Sequence, residues 1–194
     1  MTLASLALYG EWISKTARVF FIACALLLPQ LSHASAVVNS SQCQTQANKQ
    51  NPFMLVLQRG ENIHQAILQC VTQAKLDNAA IRGIGAIENP TLAYFDLKKK
   101  QYLNQKFYGI YELLALNGDV SLDKGHKMLH LHTVIGTRKF TTLGGHLMDG
   151  SIGVTGEIMI TPLTGQAVRS LNTATGLNLI DTKNLTNHPQ AGIK

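Results

Sequence analysis

AAIRGIGAIENPTLAYFDLKKKQYLNQKFYG, residues 79–109, decides the fold. Three runs of strand length, Ala79 to Ile87, Thr91 to Leu97 and Gln101 to Gly109, are separated by Asn89-Pro90 and by Lys98-Lys99-Lys100, where turns are expected. The pattern persists beyond this stretch. YELLALNGDVSL, HKMLHLHTVIG and VTGEIMITPL are further strand-length runs, divided by Asp-Lys-Gly and by glycine-rich turns. N-terminal to it, FMLVLQ (Phe53 to Gln58) has strand composition, and the segment that follows is different. There Ile63, Ala66, Ile67, Cys70, Val71 and Ala74 recur at the i, i+3, i+4, i+7 spacing of an amphipathic helix. Glu61 falls in its first turn, opposite the positive helix end, Lys75 near its last turn, and Asp77-Asn78 can stop it. One helix against six or more strands excludes a regular alternating β-α architecture. It predicts an α+β domain, one main helix with a curved, mainly antiparallel β-sheet.

The chain has 194 residues, 45% apolar and 14% charged, which suits one globular domain with a real core. Its first 36 residues read as a signal peptide: Lys15 and Arg18 precede the apolar run Val19 to Leu28, and Pro29 and Ala34-Ser35-Ala36 follow it. That run is shorter than the roughly 20 apolar residues of a spanning helix, so no stable membrane span is expected after cleavage. Retention as an uncleaved anchor is the alternative, and a lipoprotein reading through Ala23-Cys24 is weaker because the apolar run continues past Cys24. The protein is therefore expected to be exported, periplasmic or extracellular. Residues 37–51 read as a polar N-terminal arm, 52–181 as the domain proper and 182–194 as a flexible tail.

Loss of Glu11, Lys15 and Arg18 with the leader lowers the formal charge from +6 by one. The mature domain is mildly basic, with its positive residues scattered. Lys98, Lys99 and Lys100 read as a solvated hairpin tip rather than a phosphate grip, so nucleic acid is not expected as a partner. Cys43 and Cys70 remain after cleavage. They form a disulfide in one reading, and in the other Cys70 is a small buried apolar residue.

LHLHTVIGTRKFTTLGGHLMDG, residues 129–150, carries the candidate chemistry. Residues two apart on a strand share a face, so His130 and His132 project together while Leu129, Leu131 and Thr133 point away. His146 follows Gly144-Gly145, a pair that permits a sharp bend or a close approach. Three neutral imidazoles plus water make an open site for zinc or another divalent metal. The alternative is three histidines that pack and hydrogen-bond at a pocket or a subunit seam. Glu112 and Glu157 lie in apolar strand runs where an unpaired carboxylate is costly. They are the catalytic candidates, as acceptors behind a ligand histidine or as a base beside a metal-bound water, unless they pair with Arg59 or Arg82. His64, on the polar side of the helix, and His188, in the tail, carry no expected role. His126 shares the parity of His130 but lies beside the Asp-Lys-Gly turn and is expected to be exposed.

Taken in order, RGENI (59–63), GIGA (83–86), GIYELLALNG (109–118), HLH (130–132), GGHLMDG (144–150) and GEIMI (156–160) resemble the plants-and-prokaryotes conserved (PPC) domain from about Pro52 to Asp181. GIYELL looks like the family's Gly-Arg-Phe-Glu-Ile-Leu hexapeptide, with Ile110 where plant members carry arginine. The resemblance implies a compact α+β protomer that assembles as a homotrimer. Plant members pair the domain with an AT-hook and bacterial members are often labelled DNA-binding, but no Arg-Gly-Arg-Pro hook occurs in this sequence. The fold is also similar to that of acetolactate decarboxylase, in which a His-x-His pair and a later histidine hold a catalytic zinc. Two functions follow as expectations: an exported metal-dependent enzyme acting on a small molecule as a lyase or hydrolase, or a non-catalytic trimeric interaction module.

Overall fold

The computed structural model describes residues 37–182, all within one compact unit. The leader and nearly all of the tail lie outside the described residues. From the N-terminus come β1 (Val37–Val38), a 3-10 turn (Cys43–Gln46), β2 (Phe53–Gln58), α1 (Ile63–Gln73), β3 (Ala79–Asp96), β4 (Gln101–Lys106), β5 (Ile110–Asp123) and β6 (His126–Gly136). The chain then runs through β7 (Thr142–Pro162), β8 (Val168–Asn172) and β9 (Leu177–Ile180). The fold is α+β, as the strand and helix patterns predict. No helix among the described residues is long and apolar enough to cross a membrane.

Alternation makes each strand two-faced. In β2, Phe53, Leu55 and Leu57 are buried while Met54 and Val56 are partly exposed. The helix adds its apolar stripe, Ile63, Ala66, Ile67, Cys70 and Val71, to the same core by packing on β2, β6 and β7. Asn62 caps that helix, its side chain accepting from the Gln65 N–H at 3.0 Å. Glu61 therefore lies outside the first turn, and its carboxylate closes the β2–α1 turn, accepting from the Gln58 N–H at 2.6 Å and the Ser40 hydroxyl at 2.8 Å. Lys75 sits past the helix end with a left-handed backbone, φ 56°.

Two long, bent strands organise the sheet. The first part of β3 pairs with β5, its last part with β4, and β7 runs beside it throughout. The C-terminal part of β7 lies between β2 and β3, and its N-terminal part pairs with β6. Because β5 also pairs with β6, the contacts β3–β5, β5–β6, β6–β7 and β7–β3 close a circuit of antiparallel pairs. Closure hides edges that would otherwise recruit other strands. Among the described residues, parallel pairing is confined to β1 on β2 and β8 on β5. The lysine triplet forms the exposed β3–β4 tip, where Asp96 accepts from the Lys98 and Lys99 N–H groups.

The segment 37–51 is docked on the domain. β1 lies along β2, and Cys43 is fully buried and bonded to Cys70 of α1. That disulfide ties residues 27 apart in sequence. On the chain-entropy estimate it contributes about 3 to 4 kcal/mol. A Cys43→Ser/Cys70→Ser variant should accordingly lose about that much unfolding free energy in urea titration, and an unchanged midpoint would show that the bond restrains little.

Candidate metal centre

The β5–β6 hairpin turns on Lys124 (φ 50°) and Gly125 (φ 80°), a two-residue loop whose paired positive φ values match the right-handed twist of the strands. Its register places Asp119 opposite His130 and Asn117 opposite His132. The β6–β7 pairing then sets His132 directly opposite His146. Residues opposite one another in an antiparallel pair project to the same side, so all three imidazoles meet on one face. Gly144 and Gly145 lie inside β7 rather than in a turn. Their part is close approach: a Cβ on Gly145 would stand 2.8 Å from the Ala93 carbonyl oxygen, and β3 and β6 both flank this stretch of β7.

One ligand nitrogen from each of His130, His132 and His146 lies within 4.8 Å of the others, and among the described residues no other group of acidic, histidine or cysteine side chains does this. His130 Nε2 and His132 Nε2 are 3.1 Å apart. Two nitrogens bound tetrahedrally at zinc's usual length of about 2.0 to 2.1 Å stand about 3.3 Å from each other. The pair therefore needs little adjustment to share an ion. Tyr102 flanks the cluster, its ring centroid 5.1 Å from that of His146, and packs edge-on against Phe95.

Electrostatics favour neutral, ligand-ready imidazoles at His132 and His146. Burial lowers the pKa of His132, with the charge of His130 adding to the effect. His146 is pushed down to about 4, first by burial and then by His130, His132, His64 and Arg169. The nearby acid is Asp119, whose Oδ2 lies 3.7 Å from His130 Nδ1. Burial pushes its carboxyl upward, but contacts from His130, Ser121 and Arg169 outweigh that and hold it below the usual carboxylate value.

Glu112 and Glu157 are not at the cluster's register positions. Glu112 faces Ala86 and Gly136, Glu157 faces Val56 and Ile84, and both are exposed. The premise of a buried carboxylate fails for both, and neither forms an ion pair with Arg59 or Arg82 among the described residues. Asp119 was missed in the sequence although the signal is present. A two-residue turn at Lys124-Gly125 fixes the pairs of the hairpin from Asp123 and His126 back to Ala115 and Val134, and so puts 119 against 130. His64 is half-buried, burial lowers its pKa, and its Nδ1 has no hydrogen-bond partner among the described residues. It is thus not a solvated helix-face residue. His126 is exposed, as expected, and His188 lies outside the described residues.

The depressed pKa of His146 has a signed consequence in metal-free protein. Between pH 6.5 and about 4 the unfolded chain takes up a proton that the folded chain does not, so stability falls as the pH drops through that window. A chelator-treated His146→Gln variant should show a shallower dependence of unfolding free energy on pH there. Equal slopes in both proteins would contradict the assignment.

The sequence profile of the Plants and Prokaryotes Conserved (PCC) domain matches residues 44–164, starting within the segment that reads as an arm. A plant- and prokaryote-conserved protein from Pyrococcus horikoshii is 29% identical, with 68% of this chain and 91% of that chain covered at a TM-score of 0.63. A protein from Bacteroides thetaiotaomicron, described provisionally as DNA-binding, is 28% identical over 69% of this chain and 93% of that one, TM-score 0.66. A metal-containing protein from Archaeoglobus fulgidus is 28% identical over 67% and 92% of the two chains, TM-score 0.64. Acetolactate decarboxylase from Bacillus subtilis aligns at 13% identity and a TM-score of 0.45, over 69% of this chain and 62% of that one, too weak a likeness to carry mechanism. No curated protein matches the sequence. With the profile spanning most of the described domain and these structures sharing its fold, the chain belongs to the Plants and Prokaryotes Conserved domain family.

Proposed function

We propose that the protein is an exported homotrimer that binds one divalent metal ion, zinc foremost, through His130, His132 and His146, and presents an open coordination position to a small-molecule ligand. The observation that carries this reading is the convergence of three imidazole nitrogens on one face. The metal-containing relative from Archaeoglobus fulgidus supports it. When bound, such an ion supplies Lewis acidity toward a carbonyl or a water, the chemistry a lyase or hydrolase uses. The protein's own share is to present imidazoles held neutral at His132 and His146, with exposed His132 on the solvent side and Tyr102 as an apolar wall against His146. Imidazole alone does not separate zinc from iron, copper or nickel.

Export is supported by the Cys43–Cys70 bond, since structural disulfides belong to oxidising compartments. Trimer formation is supported by the outer face of the sheet. Ile84, Leu114 and Val154 are each about half exposed or more (55%, 49% and 63%), with Ile110 beside Gly153 and Leu114 beside Gly136. Ile84 and Leu114 line one shallow cleft with Met54 and Met159, and exposed apolar side chains grouped in this way mark a contact surface. The same face carries the cross-strand row Met54, Met159, Arg82, Asn117, His132 and His146, so the histidines share it.

DNA binding is the second reading, favoured by the provisional description of the Bacteroides thetaiotaomicron relative. In this chain it would draw on exposed Lys98, Lys99 and Lys100. Duplex DNA retarded at 50 mM salt and released at 200 mM, with retardation lost on neutralising the triplet, would bring it forward.

Elemental analysis of mature protein purified without a histidine tag or chelator should return one metal per chain. Alanine at His130, His132 or His146 should weaken zinc binding by orders of magnitude, and stoichiometry near zero in folded protein would end the metal reading. Light scattering at micromolar concentration should give three times the protomer mass, with Leu114→Glu shifting it toward the monomer.

A further inference from the structure

The β8–β9 hairpin lies beyond the residues matched by the family profile, which end at 164. It is nevertheless wired to the histidines. Arg169 of β8 is 8% exposed, and a buried guanidinium is costly unless its donors are satisfied. Each of its three nitrogens has a partner: Nε donates to the Ser121 hydroxyl at 2.7 Å, one terminal nitrogen to the Asn178 carbonyl at 3.2 Å, and the other to Asp119 Oδ1 at 3.0 Å. The Ser121 hydroxyl in turn donates to the same Asp119 oxygen at 3.0 Å. Both of these donors engage Oδ1, leaving Oδ2 toward His130 Nδ1. A carboxylate so placed favours the proton on Nδ1 and leaves Nε2, the atom 3.1 Å from His132 Nε2, as the ligand.

We infer that Arg169 is a positioning residue for the metal centre: the C-terminal hairpin holds Asp119 in place, and Asp119 sets the orientation and tautomer of His130. This rests on the metal reading above. A purely electrostatic role for Arg169 predicts the opposite sign, because removing a positive charge near a cation site should tighten binding. The two accounts are thus separable by the direction of one affinity change.

The test is zinc affinity, measured by chelator competition on the full mature protein, together with the visible absorption of the cobalt-substituted form. Arg169→Gln and Asp119→Asn should each weaken zinc binding roughly 10- to 100-fold, the usual effect of losing a group that orients a ligand histidine. The double variant should be no weaker than Asp119→Asn alone, since Arg169 acts through that carboxylate. The cobalt spectrum should change in intensity or position in both single variants. If Arg169→Gln does not fold, Ser121→Ala, which removes one donor to the same oxygen, decides the matter by a smaller loss in the same direction. Unchanged or tighter zinc binding in folded Arg169→Gln, or in Ser121→Ala where that variant stands in, would overturn the inference. If His130→Ala still abolishes binding, the metal reading survives that result. A wild-type protein that binds no zinc would remove both.

Discussion

Register is the constraint on which this structure depends. The three histidines come from two strands, and they converge because β6 meets β7 with His132 opposite His146. A slip of one residue in that pairing would turn one strand's side chains to the other face, exposing Leu131 if β6 moved or Leu147 if β7 did, and burying imidazoles in their place. The apolar core therefore enforces the site. Leu131, buried between His130 and His132, and Leu147, buried next to His146, anchor the strands that hold the histidines on the outer side, so the folding energy of the sheet and the geometry of the centre are not separate quantities.

Closure of the sheet strengthens this coupling. β5 touches β6, β6 touches β7, β7 touches β3 and β3 touches β5, so no strand in the circuit can shift alone. Where the backbones come closest, side chains must vanish. A Cβ on Gly118 would stand 2.0 Å from the His130 carbonyl oxygen, at the point where β5 runs beside the HLH motif. Glycine there is a steric requirement of the pairing that carries the histidines. The cluster is consequently held by backbone on several sides while its side chains stay partly open to solvent.

How much of this was legible in the sequence follows from the range of the interactions. The helix could be read residue by residue because its apolar spacing is local, and the shared face of His130 and His132 follows from strand periodicity alone. The cap on α1 went to Asn62 instead of the acidic first turn expected at Glu61, since a side-chain hydrogen bond to a specific N–H outweighs a diffuse interaction with the helix dipole. Glu112 and Glu157 drew notice as acids in apolar runs, yet Asp119 has the same local character, and only cross-strand pairing distinguishes the one beside the histidines. Arg169 was beyond reach: its partner is 50 residues away, across a parallel pairing that no hairpin predicts.

The division of labour between long strands and short loops also bears on how this chain can change over evolutionary time. β7 spans 21 residues and serves β2, β3 and β6 in turn, so an inserted or deleted residue within it would put two sets of partners out of phase at once. The exposed tips at Lys98 to Lys100 and Arg138 to Thr141 carry no such obligation, because length added there leaves every pair in register. Variation in length should accumulate at those tips. There the domain can acquire new recognition surfaces, or lose them, while the histidine face stays as it is.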